Sequence, residues 1–197
     1  MATLYILTND LRLQDNPALL SAADDSALTL LYCMDETAFQ TDQYGCQGLG
    51  VHRQQFLQET LLELNCRLNE LGHKLQVIAG SPLKVYRDVL NTNLYQRVVR
   101  ARAHEFGAMR WWQKLREQFP RLTFNEVDAN TLYLESQTKE ANFHASFSAF
   151  RRKVSTQSAR PLLGSPDALP SAIELNGDTL TKPHTGINSG GAIAAHR

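Results

Sequence analysis

At 197 residues, with 43% hydrophobic side chains, the chain has material for one large domain or for a compact domain with an extension. Lys plus Arg and Asp plus Glu each number 20, and a chain of zero formal charge argues against a general role in coating nucleic acid or membrane. Cys33, Cys46 and Cys66 are odd in number and lack metal-ligand spacing, and neither a secretory leader nor a membrane-length apolar run is present, so a soluble cytoplasmic protein is expected.

Strand and helix patterns alternate from the start. Thr3 to Thr8 is a short apolar run of the kind buried on both faces in a parallel sheet. Asn16-Pro17 reads as an N-cap with proline in the first turn, opening a helix through Ala23. Ala27 to Met34 is the second strand. After a polar loop holding Gly45, Gly48 and Gly50, the residues Leu57, Leu61, Leu64, Leu68 and Leu71 form one apolar stripe on a long helix that Gly72 caps. Lys74 to Ala79 is the third strand, Pro82 to Leu90 a helix and Arg97 to Ala101 the fourth strand. His104 to Phe119 is a helix stopped by Pro120, and Leu122 to Val127 is the fifth strand.

Five strands separated by helices predict an α/β fold: a Rossmann-like, doubly wound, five-stranded parallel sheet with helices on both faces. This domain is expected to occupy residues 1–130. Residues 131–197 read as an irregular C-terminal linker with one helix, Phe143 to Val154. Its run of Pro161, Gly164, Pro166, Pro170, Gly177 and Pro183 is too poor in apolar residues for a core and should lie over a surface. The chain ends in Gly190-Gly191-Ala-Ile-Ala-Ala-His-Arg, the start of a helix, and a fragment of a longer protein is expected.

In an open parallel sheet, ligands sit beyond the carboxyl ends of the strands, where strand order reverses. Asp10 and Arg12 follow the first strand and either face a site or pair to pin the loop, while Asp15 and Asn16 are placed to cap a helix. His104-Glu105 follows the fourth strand. Glu105 can accept hydrogen bonds from an amino-substituted heterocycle or cap the next helix. Gly45-Cys-Gln-Gly48-Leu-Gly50 invites a phosphate-binding reading, but no Lys-Ser/Thr follows, and a flexible loop competes. Trp111 and Trp112 read as packing on an amphipathic helix. Residues 97–121 hold seven Lys/Arg against two acids, either exposed helix faces or a basic face for a partner.

The stretch Thr8 to Leu19, TNDLRLQDNPAL, resembles the N-terminal signature of the DNA photolyase/cryptochrome family, through Asp10-Leu11-Arg12-Leu13 and Asp15-Asn16-Pro17-Ala18-Leu19. Arg53 to Leu57 with Leu61, Leu64, Leu68 and Gly72 resembles the family's long helix, and Leu75 to Gly80 its next strand and turn. Phe147-Ser-Ala-Phe150-Arg151-Arg-Lys-Val154 and the Pro-rich run after it look like DASH-type cryptochromes, and Ser189-Gly190-Gly191-Ala192 resembles the family's entry into its flavin-binding helical domain. Two departures stand out: Ile6-Leu7-Thr8 replaces an aromatic pair and Arg, and Ala192 stands where a Glu follows the glycines.

The resemblance implies a photolyase-type α/β antenna domain. The intact protein would be a FAD-dependent blue-light DNA photolyase or DASH-type cryptochrome. FAD, the electron-transfer tryptophans and the DNA-lesion pocket would lie in a helical domain beyond this chain, so DNA is a partner only through that domain. The α/β domain of such proteins can bind methenyltetrahydrofolate as a light-harvesting antenna, and Glu105 resembles the Glu that contacts the pterin. No catalytic residue or metal ligand is assigned, and a monomer without membrane contact is expected. The competing reading is a free-standing Rossmann-like nucleotide- or cofactor-binding or interaction module without catalysis.

Overall fold

In the computed structural model, which describes residues 1–41, 44–46, 48–134, 136–137 and 146–175, each apolar run becomes a strand. These are β1 (Ala2–Leu7), β2 (Ala27–Asp35), β3 (Leu75–Gly80), β4 (Arg97–Ala101) and β5 (Thr123–Val127). Every pairing is parallel, in the spatial order β3-β2-β1-β4-β5. Strand order therefore reverses between β1 and β4, and the switch point lies beyond Leu7 and Ala101.

Alternation along β1 divides the core. Tyr5 and Leu7 face one layer, with α1 (Pro17–Ala23) and α2 (Val51–Glu70) supplying Leu19, Leu61, Leu64 and Leu68. Leu4 and Ile6 face the other, where α3 (Pro82–Leu90) and α4 (Phe106–Gln118) supply Val85, Tyr86, Trp112 and Leu115. Leu4 and Ile6 have no exposed surface, so burial of each contributes about 1.5–3 kcal/mol.

The ends of the helices follow local chemistry. Asn16 accepts the Leu19 N–H at 3.0 Å and caps α1. Gly72 has a positive φ of 70°, its N–H donates to the Asn69 carbonyl, and the His73 N–H donates to that of Leu68. This paired motif closes α2 and needs the left-handed backbone that glycine adopts without cost.

The predicted tail helix is present as α5 (Phe147–Val154), capped by Ser146. Its expected beginning at Phe143, and the closing Gly190-Gly191 segment, lie outside the described residues. Beyond it, residues 155–175 return to the domain and add a strand that the sequence pattern does not announce. β6 (Ser171–Ala172) pairs in parallel with Ala27–Leu28. Because β1 occupies the other side of those residues, β6 lies on the flank that β3 takes further along β2. Thr29 Oγ1 donates to the Ile173 carbonyl at 2.8 Å, and Ile173 and Leu175 pack onto the α3/α4 layer.

Three of the arginines in the basic stretch belong to the fold. Arg97 pairs with Asp25 at 3.0 Å, Arg100 with Glu126 at 2.6 Å and Arg102 with Asp128 at 2.6 Å. Arg110, Lys114, Arg116 and Arg121 are exposed. The two tryptophans pack as expected: Trp111 against Tyr86 with ring centres 4.9 Å apart, Trp112 against Phe124 at 5.0 Å. Between them sits the Arg100 guanidinium, 4.7 Å and 4.3 Å from the two ring centres.

Candidate functional site

The polar stretch after β1 is built around a buried carboxylate. Asp10 Oδ1 accepts the Thr8 N–H at 2.9 Å, turning the chain out of the sheet, while Oδ2 accepts the Tyr5 hydroxyl. Burial first, and then the Asp10 charge, push the Tyr5 phenol well above its ordinary pKa, so it stays a donor. Asn16 completes the network: its Nδ2 donates to the carbonyls of Asp10 at 3.1 Å and Arg12 at 2.9 Å. Asp10 and Asn16 have no exposed surface. They fasten the loop from beneath and do not reach the ligand edge.

Arg12 and Asp15 point elsewhere. Arg12 does not pair with Asp10. It donates to the carbonyl oxygens of Asp15 and Ala129 and to Asn130 Oδ1. Asp15, at φ 53°, carries the tail: Arg160 grips its carboxylate at 2.5 and 2.8 Å, and the Leu163 N–H reaches it at 3.2 Å. The Arg160 hydrogen bond is the main reason the Asp15 carboxyl is held below its usual range.

Glu105 stands at the switch point. It occupies the N-cap position of α4, yet its side chain makes no capping hydrogen bond. Its Oε1 instead accepts the amide of Asn9 at 3.3 Å, which joins the end of β1 to the loop after β4. The carboxylate is solvent-exposed, and its second oxygen has no protein donor among the described residues.

Asn9 also forms the rim of a cleft of about 810 Å³ at the carboxyl ends of β1 and β2. Its walls are apolar and aromatic, with Tyr32, Met34, Phe39, Phe56 and Leu57, and its polar groups are Asn9, Arg12, Asp35, His52 and Arg53. That mixture in an open α/β sheet is the composition of a small-molecule site. Burial, with smaller contributions from Cys33 and Asp35, pushes the Tyr32 phenol up to about 12. Any hydroxyl contact it makes at neutral pH is therefore as a neutral phenol.

Sequence reasoning places Glu105 at the edge of the sheet but misses most of these walls. Met34 and Asp35 end β2, and His52, Arg53 and Phe56 lie in the first turns of α2, separated by a loop whose path the sequence does not fix. An exposed Phe56 on an otherwise polar helix face is the one available signal. The glycine-rich loop has a packing role as well. A Cβ on Gly48 would meet the Ala38 carbonyl oxygen at 2.7 Å, so this glycine lets the loop close onto the short turn Glu36–Phe39. Among the described residues, no group of His, Cys, Asp and Glu is placed to hold a metal ion, and no helix is long and apolar enough to cross a membrane.

Comparison with known proteins agrees with this architecture. The sequence model of the DNA photolyase family, described as DNA photolyase, matches residues 3–171. Cryptochrome DASH of Idiomarina loihiensis is 31% identical over 171 residues, covering 85% of this chain and 38% of that protein. Cryptochrome DASH of Vibrio parahaemolyticus is 27% identical over 175 residues, with the same coverage of 85% and 38%. A cryptochrome crystal structure from Synechocystis superposes with a TM-score of 0.81 at 24% identity, over 90% of this chain and 39% of that one. A photolyase from Sulfolobus tokodaii, described with two FAD molecules and a novel light-harvesting cofactor, gives 0.74 at 21% identity, over 88% and 38%. At those identities the structural likeness speaks to the fold. The chain spans 38% of the length of the two DASH cryptochromes.

Proposed function

The chain belongs to the DNA photolyase family, as its N-terminal α/β domain, and from that premise we propose that it holds a light-harvesting chromophore of the folate type for a flavoprotein. The observation that carries this reading is the pairing of the apolar cleft with Glu105 through Asn9. A pterin offers a flat ring and a polar edge of amino and ring N–H donors. Tyr32, Phe39, Phe56 and Met34 suit the ring, since aromatic and thioether surfaces are worth most against a flat π-system. The free oxygen of Glu105 suits the amino edge, because a carboxylate is an acceptor only. Bound, the chromophore would absorb near-ultraviolet light and pass the excitation to the flavin.

The intact protein would then be a FAD-dependent blue-light photolyase or a DASH-type cryptochrome. In that protein FAD and DNA belong to the helical domain. The α/β domain by itself supplies no electron for repair, so its own role is binding rather than catalysis.

Titrating the purified chain with methenyltetrahydrofolate and following the near-ultraviolet band tests the proposal. A red-shifted, saturable band is expected. Glu105→Gln should weaken binding by about 10- to 100-fold, the worth of a hydrogen bond to a charged acceptor. Phe56→Asp, at a side chain already half exposed, should weaken it without loss of fold. Absence of a band at high micromolar folate, together with binding of FAD, would move the chromophore class to flavins. Folate binding indifferent to Glu105→Gln would remove Glu105 from the site.

A further inference from the structure

A second cleft, of about 350 Å³, opens on the other side of Arg12, between the loop after β1, the loop after β5 and the tail. Arg12, Asp15, Asn130, Thr131 and Arg160 supply its polar lining. Its charges do not balance. The single carboxylate, Asp15, is held by Arg160, whereas Arg12 is bound only to uncharged oxygens, those of Asp15, Ala129 and Asn130.

Donors are left over as well. A guanidinium carries five N–H groups. Arg12 uses Nε and both hydrogens of Nη2, but only one hydrogen of Nη1. Arg160 grips Asp15 through Nη1 and Nη2, while its buried Nε has no partner. An anion in the cleft takes the spare Nη1 hydrogen of Arg12 and offsets the excess positive charge.

We infer that this cleft binds a phosphoryl group. Two guanidinium charges beside one carboxylate leave a net positive site, and guanidinium donors suit the acceptor oxygens of phosphate. The volume exceeds what one carboxylate needs and reaches the lower range of small-molecule sites. The site also lies at the carboxyl edge of the sheet, where ligands of open α/β folds gather. The phosphoryl group comes either from a small phosphate ester or from a polynucleotide backbone. Nothing in the inference depends on a chromophore in the larger cleft.

The test is a titration of the ¹⁵N-labelled chain with inorganic phosphate, at an ionic strength held constant with sodium chloride, following backbone amides and arginine Nε–H signals. Saturable shifts centred on Arg12, Thr131 and Arg160 are expected, with half-saturation in the low millimolar range. Arg160→Gln should weaken binding about fivefold, and Asp15→Asn, which removes the competing carboxylate and tolerates the positive φ, should tighten it about threefold. Glu105→Gln and Phe56→Asp should leave it unchanged. Adenosine monophosphate binding tighter than phosphate assigns the site to small esters, and an oligothymidylate binding tighter assigns it to a nucleic-acid backbone. Shifts spread evenly over the exposed Arg110, Lys114, Arg151 and Arg152, no saturation at about 50 mM phosphate, or no response to Asp15→Asn overturns the inference.

Discussion

Replacing Glu126 by alanine strands a buried cation, and the size of the effect follows from the geometry. The Arg100 side chain is 1% exposed, and Glu126 Oε1 accepts from both its Nε, at 2.9 Å, and its Nη2, at 2.6 Å. Burial pulls the Arg100 pKa down and Glu126 opposes that shift, so the carboxylate is what makes the charge tolerable. Removing one partner of a buried pair costs about 3–5 kcal/mol. The Ala108 carbonyl, at 2.9 Å, and the two indole faces hold the guanidinium equally in both proteins, so they cancel from the difference. Glu126 is itself 22% exposed, so the expected loss is the lower end of that range, about 3 kcal/mol. Urea unfolding, followed by the fluorescence of the tryptophans that enclose the guanidinium, is the assay. With a slope of about 2–3 kcal/mol/M for a domain of this size, the midpoint should fall by about 1 M without a change in slope. Arg100→Met places an apolar chain in the same slot, and combined with Glu126→Ala it should recover at least about 1 kcal/mol relative to the sum of the single changes. A loss under about 0.5 kcal/mol for Glu126→Ala, or strict additivity in the cycle, refutes the reasoning.

Two further expectations concern the loop after β1. Asn16→Ala removes a helix cap and the donor to the Arg12 carbonyl, and leaves the Asp10 carbonyl with the Arg12 N–H alone, so stability should drop by about 2–4 kcal/mol in urea; a drop below about 1 kcal/mol contradicts the network. Asp15 is depressed in the folded state, so its contribution is present above the usual carboxylate range and is lost as pH falls through its folded value. Thermal midpoints of the wild type and Asp15→Asn should differ at neutral pH and draw together in acid, and a gap of constant size from neutral pH down to about pH 2.5 excludes this linkage.

The elements were legible because their information is local. A run such as Leu4-Tyr5-Ile6-Leu7 is a strand in almost any context that buries both faces, and Asn16-Pro17 and Gly72 mark helix ends through their own backbone chemistry. The signature around Asp10, Arg12, Asp15 and Asn16 identified the family, and Glu105 could be placed at the sheet edge from its position after β4. What those residues do was not local. Asp10 and Asn16 became an internal fastening because the loop folds back under β1, where Tyr5, which lies 5 and 11 residues earlier, points its hydroxyl at both.

Other features depended on partners far along the chain. Asp15 found Arg160, 145 residues later, and β6 found the start of β2 through two residues with no strand-like pattern. Arg100 reads in sequence as one charge in a basic stretch, and only its approach to Glu126 and two indoles makes it part of the core. The sequence alone determined strands, helix ends and lineage, since each rests on side-chain size, backbone preference or a contiguous motif. Tertiary structure decided which polar residues are buried, which of them line a cleft and where the tail is held, because these depend on distances between segments that no local pattern encodes.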